Sequence, residues 1–143
     1  MRYWSRRPIS TEDELRDYMK WNVTDPSVEC YAITARGNDL ALGWIALIDR
    51  KRGAAELGFI LCPKAQGKGF AKASVKLILT QAFGVLNLRR VFADIDPDNQ
   101  RSIQLVERLG YQYEGRLRAT WVTHLGVRDS AIYSILKSDA SGL

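Results

Sequence analysis

Cysteine and histidine are scarce, with two of the first and one of the second in 143 residues. Cys30 and Cys62 each fall in a predicted strand and neither belongs to a Cys-x-x-Cys pair. Reduced, buried thiols and a cytoplasmic setting are therefore expected. With His124 alone and no Cys/His clustering, the chain lacks a donor set for zinc, and no metal is expected. No apolar run approaches the roughly 20 residues of a membrane span, so no membrane partner is expected. The opening Met1-Arg2-Tyr3-Trp4-Ser5-Arg6-Arg7-Pro8 has no apolar core and is not a secretory signal. Repeats, low-complexity tracts and linkers are also missing, which leaves one domain over residues 1–143. The formal net charge is +5, but the basic residues are dispersed and Arg89-Arg90 is too short to form an arm. Nucleic acid is not the expected partner; the excess reads as solvated surface plus help in holding an anionic ligand.

What is present is organised around Gly58 to Ala71. The apolar run Leu57 to Cys62 reads as a buried strand that Pro63 stops. A polar loop with two glycines follows. From Ala71, the apolar positions Val75, Ile78, Leu79, Ala82 and Leu86 fall on one face of a helix. A strand, a glycine-rich loop and a helix point backbone N–H groups and the positive end of the helix dipole at one spot, which suits a phosphate. Two familiar phosphate loops are excluded. A nucleotide P-loop needs a glycine where Cys62 stands and a hydroxyl where Gly69 stands, and Gly-x-Gly-x-x-Gly is absent.

Before this stretch, Ser10 or Thr11 caps a predicted helix to Trp21, with Leu15, Tyr18, Met19 and Asn22 on one face and Asp25-Pro26 ending it. Glu29–Arg36 and Ala41–Asp49 read as strands joined by a turn at Gly37-Asn38-Asp39, and Ala54–Cys62 is the organising strand. Beyond the long helix, Arg90–Ile95 is a strand. Ile103, Val106 and Leu109 mark a helix that Gly110 stops, and Tyr111–Arg116, Ala119–Thr123 and Val127–Lys137 are strands before a polar tail from Ser138 to Leu143. The fold class is α/β, one domain, with a mixed and mostly antiparallel sheet flanked by helices.

Gln66-x-x-Gly69-x-Ala71 resembles the pyrophosphate loop of the GNAT N-acetyltransferases, whose pattern is Arg/Gln-x-x-Gly-x-Gly/Ala. Further along, Asn99-Gln100-Arg101-Ser102 with Arg108-Leu109-Gly110-Tyr111 is similar to that family's second signature, an Asn-x-x-Ser/Ala segment opening a helix that ends in Lys/Arg-Leu-Gly-Phe/Tyr. Glu114-Gly115-x-x-Arg118 and Gly126-x-x-Asp129-x-x-x-Tyr133-Ser134 follow in the order of the RimJ/RimL branch, which acetylates protein N-terminal amines and has relatives acting on small amines. The chain departs from that branch in starting too late for the strand and helix that usually open it. The options are that it does without them, that another chain covers the surface, or that a longer protein is cut short.

The resemblance implies an acetyl-CoA-dependent transfer of an acetyl group to a primary amine by direct attack on the thioester, or a non-catalytic acyl-CoA-binding module. It implies acetyl-CoA as cosubstrate, held at the pyrophosphate by Gln66, Gly67, Lys68, Gly69, Phe70 and Ala71 and along the pantetheine arm by Ile60, Leu61 and Asn99. Lys68 is equally readable as a solvated loop lysine, Ile60 and Leu61 as core, and Asn99 as a helix N-cap. Glu56, ten positions before Gln66, is the candidate base, with Asp94 and Asp96 as rivals and an exposed strand glutamate as the plain alternative. Ser102 could reach the sulfur or the acceptor. Val106 stands near where many members carry a tyrosine acid. Cys62 as an acyl carrier is explained better by strand burial. Finally, Tyr3, Trp4, Tyr18 and Trp21 suggest a homodimer in which the leading segment borders the partner's cleft, or else an inward-packed cluster.

Overall fold

The computed structural model describes Tyr3 and residues 8–140. Trp4 and the end of the polar tail lie outside the described residues. Six strands form one sheet: β1 (Glu29–Ala35), β2 (Asn38–Lys51), β3 (Ala54–Leu61), β4 (Arg90–Ile95), β5 (Gln112–Thr123) and β6 (Gly126–Leu136). Their order is β1-β2-β3-β4-β6-β5, and among the described residues only the β3–β4 pair is parallel. The helices are α1 (Glu12–Thr24), α2 (Phe70–Thr80) and α3 (Gln100–Arg108). The expected α/β domain with a mixed, mostly antiparallel sheet is the architecture observed.

Strand alternation divides the side chains between two layers. Ala55, Leu57, Val91, Ala93, Ile95, Ala131, Tyr133 and Ile135 form the main core with Val75, Ile78 and Leu79 of α2 and Ile103 and Val106 of α3. The opposite face is covered by α1 only over the first strands, where Tyr18 packs on Val28, Trp44 and Ala46. Beyond α1 that face carries Glu56, Arg90, Phe92 and Asp94, none of which belongs to either buried cluster.

Several boundaries differ from the sequence expectation, each for a local reason. Thr11 is the cap of α1, its hydroxyl accepting from the Glu14 amide, and the helix continues to Thr24. Because α1 rests on a small cluster, its buried face is narrow: Tyr18 and Asn22 are enclosed, while Leu15 is 45% exposed. The helix after α2 runs on as expected but widens into a π-helical turn, Gln81–Val85, which brings the consecutive residues Ala82 and Phe83 both into the core. Cys62 is not in the strand; it is half-buried and precedes a single 3-10 turn, Pro63–Ala65.

The two strands expected at 111–116 and 119–123 are one strand, β5, with register breaks at Tyr113/Gly115 and Leu117/Trp121. Ala119 there has φ +53°, and its N–H leaves the ladder to bond Asp129 Oδ1 at 2.8 Å. Gly110 does stop α3, with φ +87°.

Gly43 of β2 is required by a close approach. A Cβ there would lie 2.0 Å from the Ile60 carbonyl oxygen and 2.9 Å from Leu61 Cα. These are backbone atoms that no side-chain rotation can move aside. Gly43→Ala is therefore expected to cost about 3 kcal/mol or more, the upper end of overpacking penalties. Denaturant unfolding checks this; an unchanged midpoint would mean that β2 can shift away from β3 freely.

Candidate active site

The ladder between β3 and β4 is short. Ala54, Ala55 and Glu56 pair with Arg90, Val91 and Phe92, and beyond that point the two strands diverge. From Leu57 to Leu61, β3 keeps β2 on one edge and has no strand partner among the described residues on the other. An extended ligand can pair with such an edge through its amides, as an added strand would. Ile60 and Leu61 lie on this free edge while their side chains pack into the two cores. Both readings of these residues therefore hold together geometrically.

Glu56 stands at the vertex of the splay, opposite Phe92. Burial pushes its carboxyl up to about 7, and the negative charges of Asp94 on β4 and Asp49 on β2 add to the effect. A carboxyl poised near neutrality beside an open cleft has the property a general base needs. The rivals are differently engaged. Asp94 accepts a hydrogen bond from the Trp121 indole at 3.0 Å. Asp96 is gripped by Arg128 through two bonds of 2.7 and 2.8 Å, which holds its carboxyl below the usual carboxylate range. Asp96 is thus a charge partner, poorly suited to take a proton at neutral pH.

The wide end of the splay carries the glycine loop. Gly67 and Gly69 both have positive φ, 75° and 83°, and a Cβ on either would meet nothing within 4 Å. The amides of Gly67, Lys68, Gly69, Phe70 and Ala71 make no normal backbone hydrogen bond to a described residue; the first helical bond here is Ala73 N–H to the Gly69 carbonyl. Open space and unpartnered donors coincide where an anion would sit. Lys68 is solvent-exposed, Phe70 packs partly on the main core, and Ala71 is half-buried. Gln66 closes the end of β3, its side-chain amide donating to the Leu61 carbonyl at 3.2 Å.

The N-terminus of α3 faces the same opening, since both helices follow the carboxyl ends of the parallel strands, where α/β sheets bind ligands. Asn99 is the N-cap of α3, its Oδ1 accepting from the Ser102 amide at 3.3 Å. Ser102 is half-buried in the first turn. Val106 is fully buried in the core, so it offers nothing to the cleft. His124 is exposed at the tip of the β5–β6 hairpin, and Tyr18 packs inward on Trp44 with ring centroids 5.9 Å apart.

Sequence reasoning missed three residues at this end: Trp121 and Arg128, which engage the rival carboxylates, and Arg101, whose guanidinium donates to Gln66 Oε1 at 3.3 Å. Trp121 and Arg128 come from the C-terminal hairpin and gave no local signal. Arg101 was legible as a cation in a helix first turn that holds no acid.

Comparison with known proteins places the chain in a family. Residues 1–112 match the family model for the acetyltransferase (GNAT) domain. The spermidine N(1)-acetyltransferase of Escherichia coli K12 is 32% identical over 117 residues, which cover 82% of this chain and 63% of that protein. An uncharacterized N-acetyltransferase p20 of Bacillus licheniformis is 31% identical over 147 residues, covering 99% of this chain and 82% of the relative. Among solved structures, a putative acetyltransferase from T. thermophilus superposes with a TM-score of 0.86 at 32% identity, covering 99% of this chain and 76% of that one. The spermidine N-acetyltransferase of Vibrio cholerae in complex with CoA and spermine gives a TM-score of 0.83 at 27% identity, covering 96% and 82%. The chain thus spans just under two thirds of the E. coli relative, and on the family model and these relatives together it belongs to the GNAT acetyltransferases.

Proposed function

We propose that this chain is an acetyl-CoA-dependent N-acetyltransferase whose acceptor is a cationic primary amine of the polyamine class. The observation that carries the reading is the splay of β3 from β4, with a near-neutral carboxyl at its vertex and a loop of unpartnered amides at its mouth. The donor end fits a pyrophosphate at Gln66–Ala71 and an extended pantetheine arm along Leu57–Leu61. Acetyl-CoA supplies the activated thioester when bound. Glu56 takes the proton from the ammonium or from the attacking amine, directly or through one water. The leaving thiolate needs no protein acid in this scheme; the Ser102 hydroxyl, in the first turn of α3, is the candidate for steadying it.

Acceptor charge follows from the same vertex. The negative charges of Asp94 and Asp49 both act on Glu56, and such a group of carboxylates favours a cation. The named relatives that act on spermidine point the same way. The order of motifs shared with the RimJ/RimL branch favours protein N-terminal amines instead, and a peptide amine remains the second acceptor to test.

An acetyl-CoA turnover screen decides between them, counting free CoA released with spermidine, with N-terminal peptides and with aminoglycosides. Release with spermidine above the acceptor-free rate is expected. Release with peptides alone would replace the polyamine reading by the N-terminal one. Tight acetyl-CoA binding with no release for any amine would replace it by the binding-module reading.

A further inference from the structure

The C-terminal hairpin reaches the splay at one point. Strand β5 lies two places from β4 in the sheet, with β6 between them. Its register breaks between Leu117 and Trp121, where Ala119 takes φ +53°. Such a bulge re-aims the side chains around it. The Trp121 indole extends across β6 and donates to Asp94 Oδ2 on β4 at 3.0 Å. Trp121 is 40% exposed, so part of its ring stands open beside that carboxylate. The other oxygen, Asp94 Oδ1, has no hydrogen-bond partner among the described residues. Asp94 shares a face of β4 with Phe92, the residue paired with Glu56, and stands two positions farther along the diverging wall. The charge nearby is negative as well, because Asp96 and Asp98 outnumber the one cation, Arg128, that engages them.

We propose that Asp94 and Trp121 form a subsite for a second ammonium of the acceptor, one that selects a diamine or polyamine over a monoamine. The subsite presupposes the acetyl-transfer reading given above, with Glu56 at the reacting amine. Two positions of strand rise put Asp94 about 7 Å beyond the vertex. An extended diaminobutane holds its two nitrogens about 6 Å apart at standard bond lengths. An amine poised at Glu56 therefore brings its next ammonium to Asp94. The open Oδ1 accepts from that ammonium, a charge-assisted hydrogen bond. The methylenes lie along the indole, whose face also attracts positive charge. The indole N–H fixes the carboxylate before the acceptor arrives, so little ordering is left to be done on binding. A peptide N-terminus brings no second cation at a fixed spacing of this kind.

Steady-state kinetics at saturating acetyl-CoA test this by comparing diaminobutane with butylamine, which matches its carbon chain and lacks the second charge. Measurement well above pH 7 keeps Glu56 ionised in every protein. Wild type should prefer diaminobutane about 10- to 100-fold in kcat/KM, as expected for a hydrogen bond to a charged group. Asp94→Asn keeps the shape of the side chain and an oxygen for the indole but removes the charge. It should abolish most of that preference, chiefly by raising the KM for diaminobutane. Trp121→Leu keeps apolar bulk without the N–H or the ring face and should lower the preference about 3- to 10-fold.

Equal losses on both acceptors in Asp94→Asn would make Asp94 a base or a scaffold residue and overturn the proposal. A wild type that turns over butylamine as well as diaminobutane would do the same, as would a full preference retained in Asp94→Asn. An unchanged preference in Trp121→Leu would also overturn it, and that arm stands even if Asp94→Asn fails to fold. A wild type with no turnover on any amine would remove the acetyl-transfer reading itself, an outcome seen before any variant is made.

Discussion

Glu56→Gln should lose about 10²- to 10⁴-fold in acetyl transfer at neutral pH while binding acetyl-CoA nearly as well as wild type. The glutamine keeps the shape of the side chain and its place at the vertex of β3 and β4 but has no basic oxygen to offer. Wild type should show an acid limb in kcat/KM near pH 7, because the carboxyl pushed up to about 7 must ionise before it can accept a proton. Activity therefore rises with pH through that region, and the limb should disappear in the variant.

Stability should move in the opposite direction from activity. A carboxyl raised on folding favours the native state only while it is protonated. Stability is then lost as pH climbs from the unfolded value of 4.5 through about 7. Glu56→Gln removes that loss, so at pH 8 the variant should be more stable than wild type, by about 3 kcal/mol if the full shift is realised. A merely structural glutamate would give no such pairing of a slower and a sturdier protein. Turnover within a few-fold of wild type would move the role to Asp94, since Asp96 is committed to Arg128.

The donor half of the site was written locally, and that is why it could be read. Residues 57–71 hold an apolar run, a proline stop, two glycines and a helical repeat, all of which act over a few residues. The structure keeps them in that order as β3, the loop and α2. The face around Glu56 was not local in this sense. Its surroundings are assembled from β2, β3, β4 and the C-terminal hairpin, through pairings such as Trp121 with Asp94 that span 27 positions. Nothing in the local pattern of Asp94 or Asp96 distinguishes them as candidate bases. Only the long-range partners separate a carboxylate held by an arginine from one beside an indole. The break expected in β5 has a similar origin, since Asp129 lies 10 residues from the Ala119 amide that it draws out of the ladder. Helix α1 was misjudged at Leu15 because periodicity marks an apolar position without saying how large a surface waits to receive it.

Gly69→Asp should abolish measurable acetyl-CoA binding in a protein that still folds. Folding should survive for three reasons. A Cβ at Gly69 meets nothing within 4 Å, so there is room for the side chain. The φ of +83° is strained for most residues, yet aspartate is among those that visit the left-handed region most readily, at a cost of about 1 kcal/mol. Gly69 is also the N-cap of α2, where a carboxylate is stabilising and offsets much of that strain. The same features that protect the fold remove the ligand. The carboxylate takes the open position among the unpartnered amides, satisfying them with its own oxygens. A phosphate brought within about 4 Å of it meets roughly 4 kcal/mol of repulsion at the effective dielectric of a protein surface, about a thousandfold in affinity before any collision is counted. Gly69→Ala is the control, with at least as much backbone strain and no charge, and should bind only modestly more weakly than wild type. Circular dichroism and calorimetry on the three proteins make the comparison. A folded Gly69→Asp variant with wild-type affinity for acetyl-CoA would place the phosphates elsewhere and dismantle the donor half of the site.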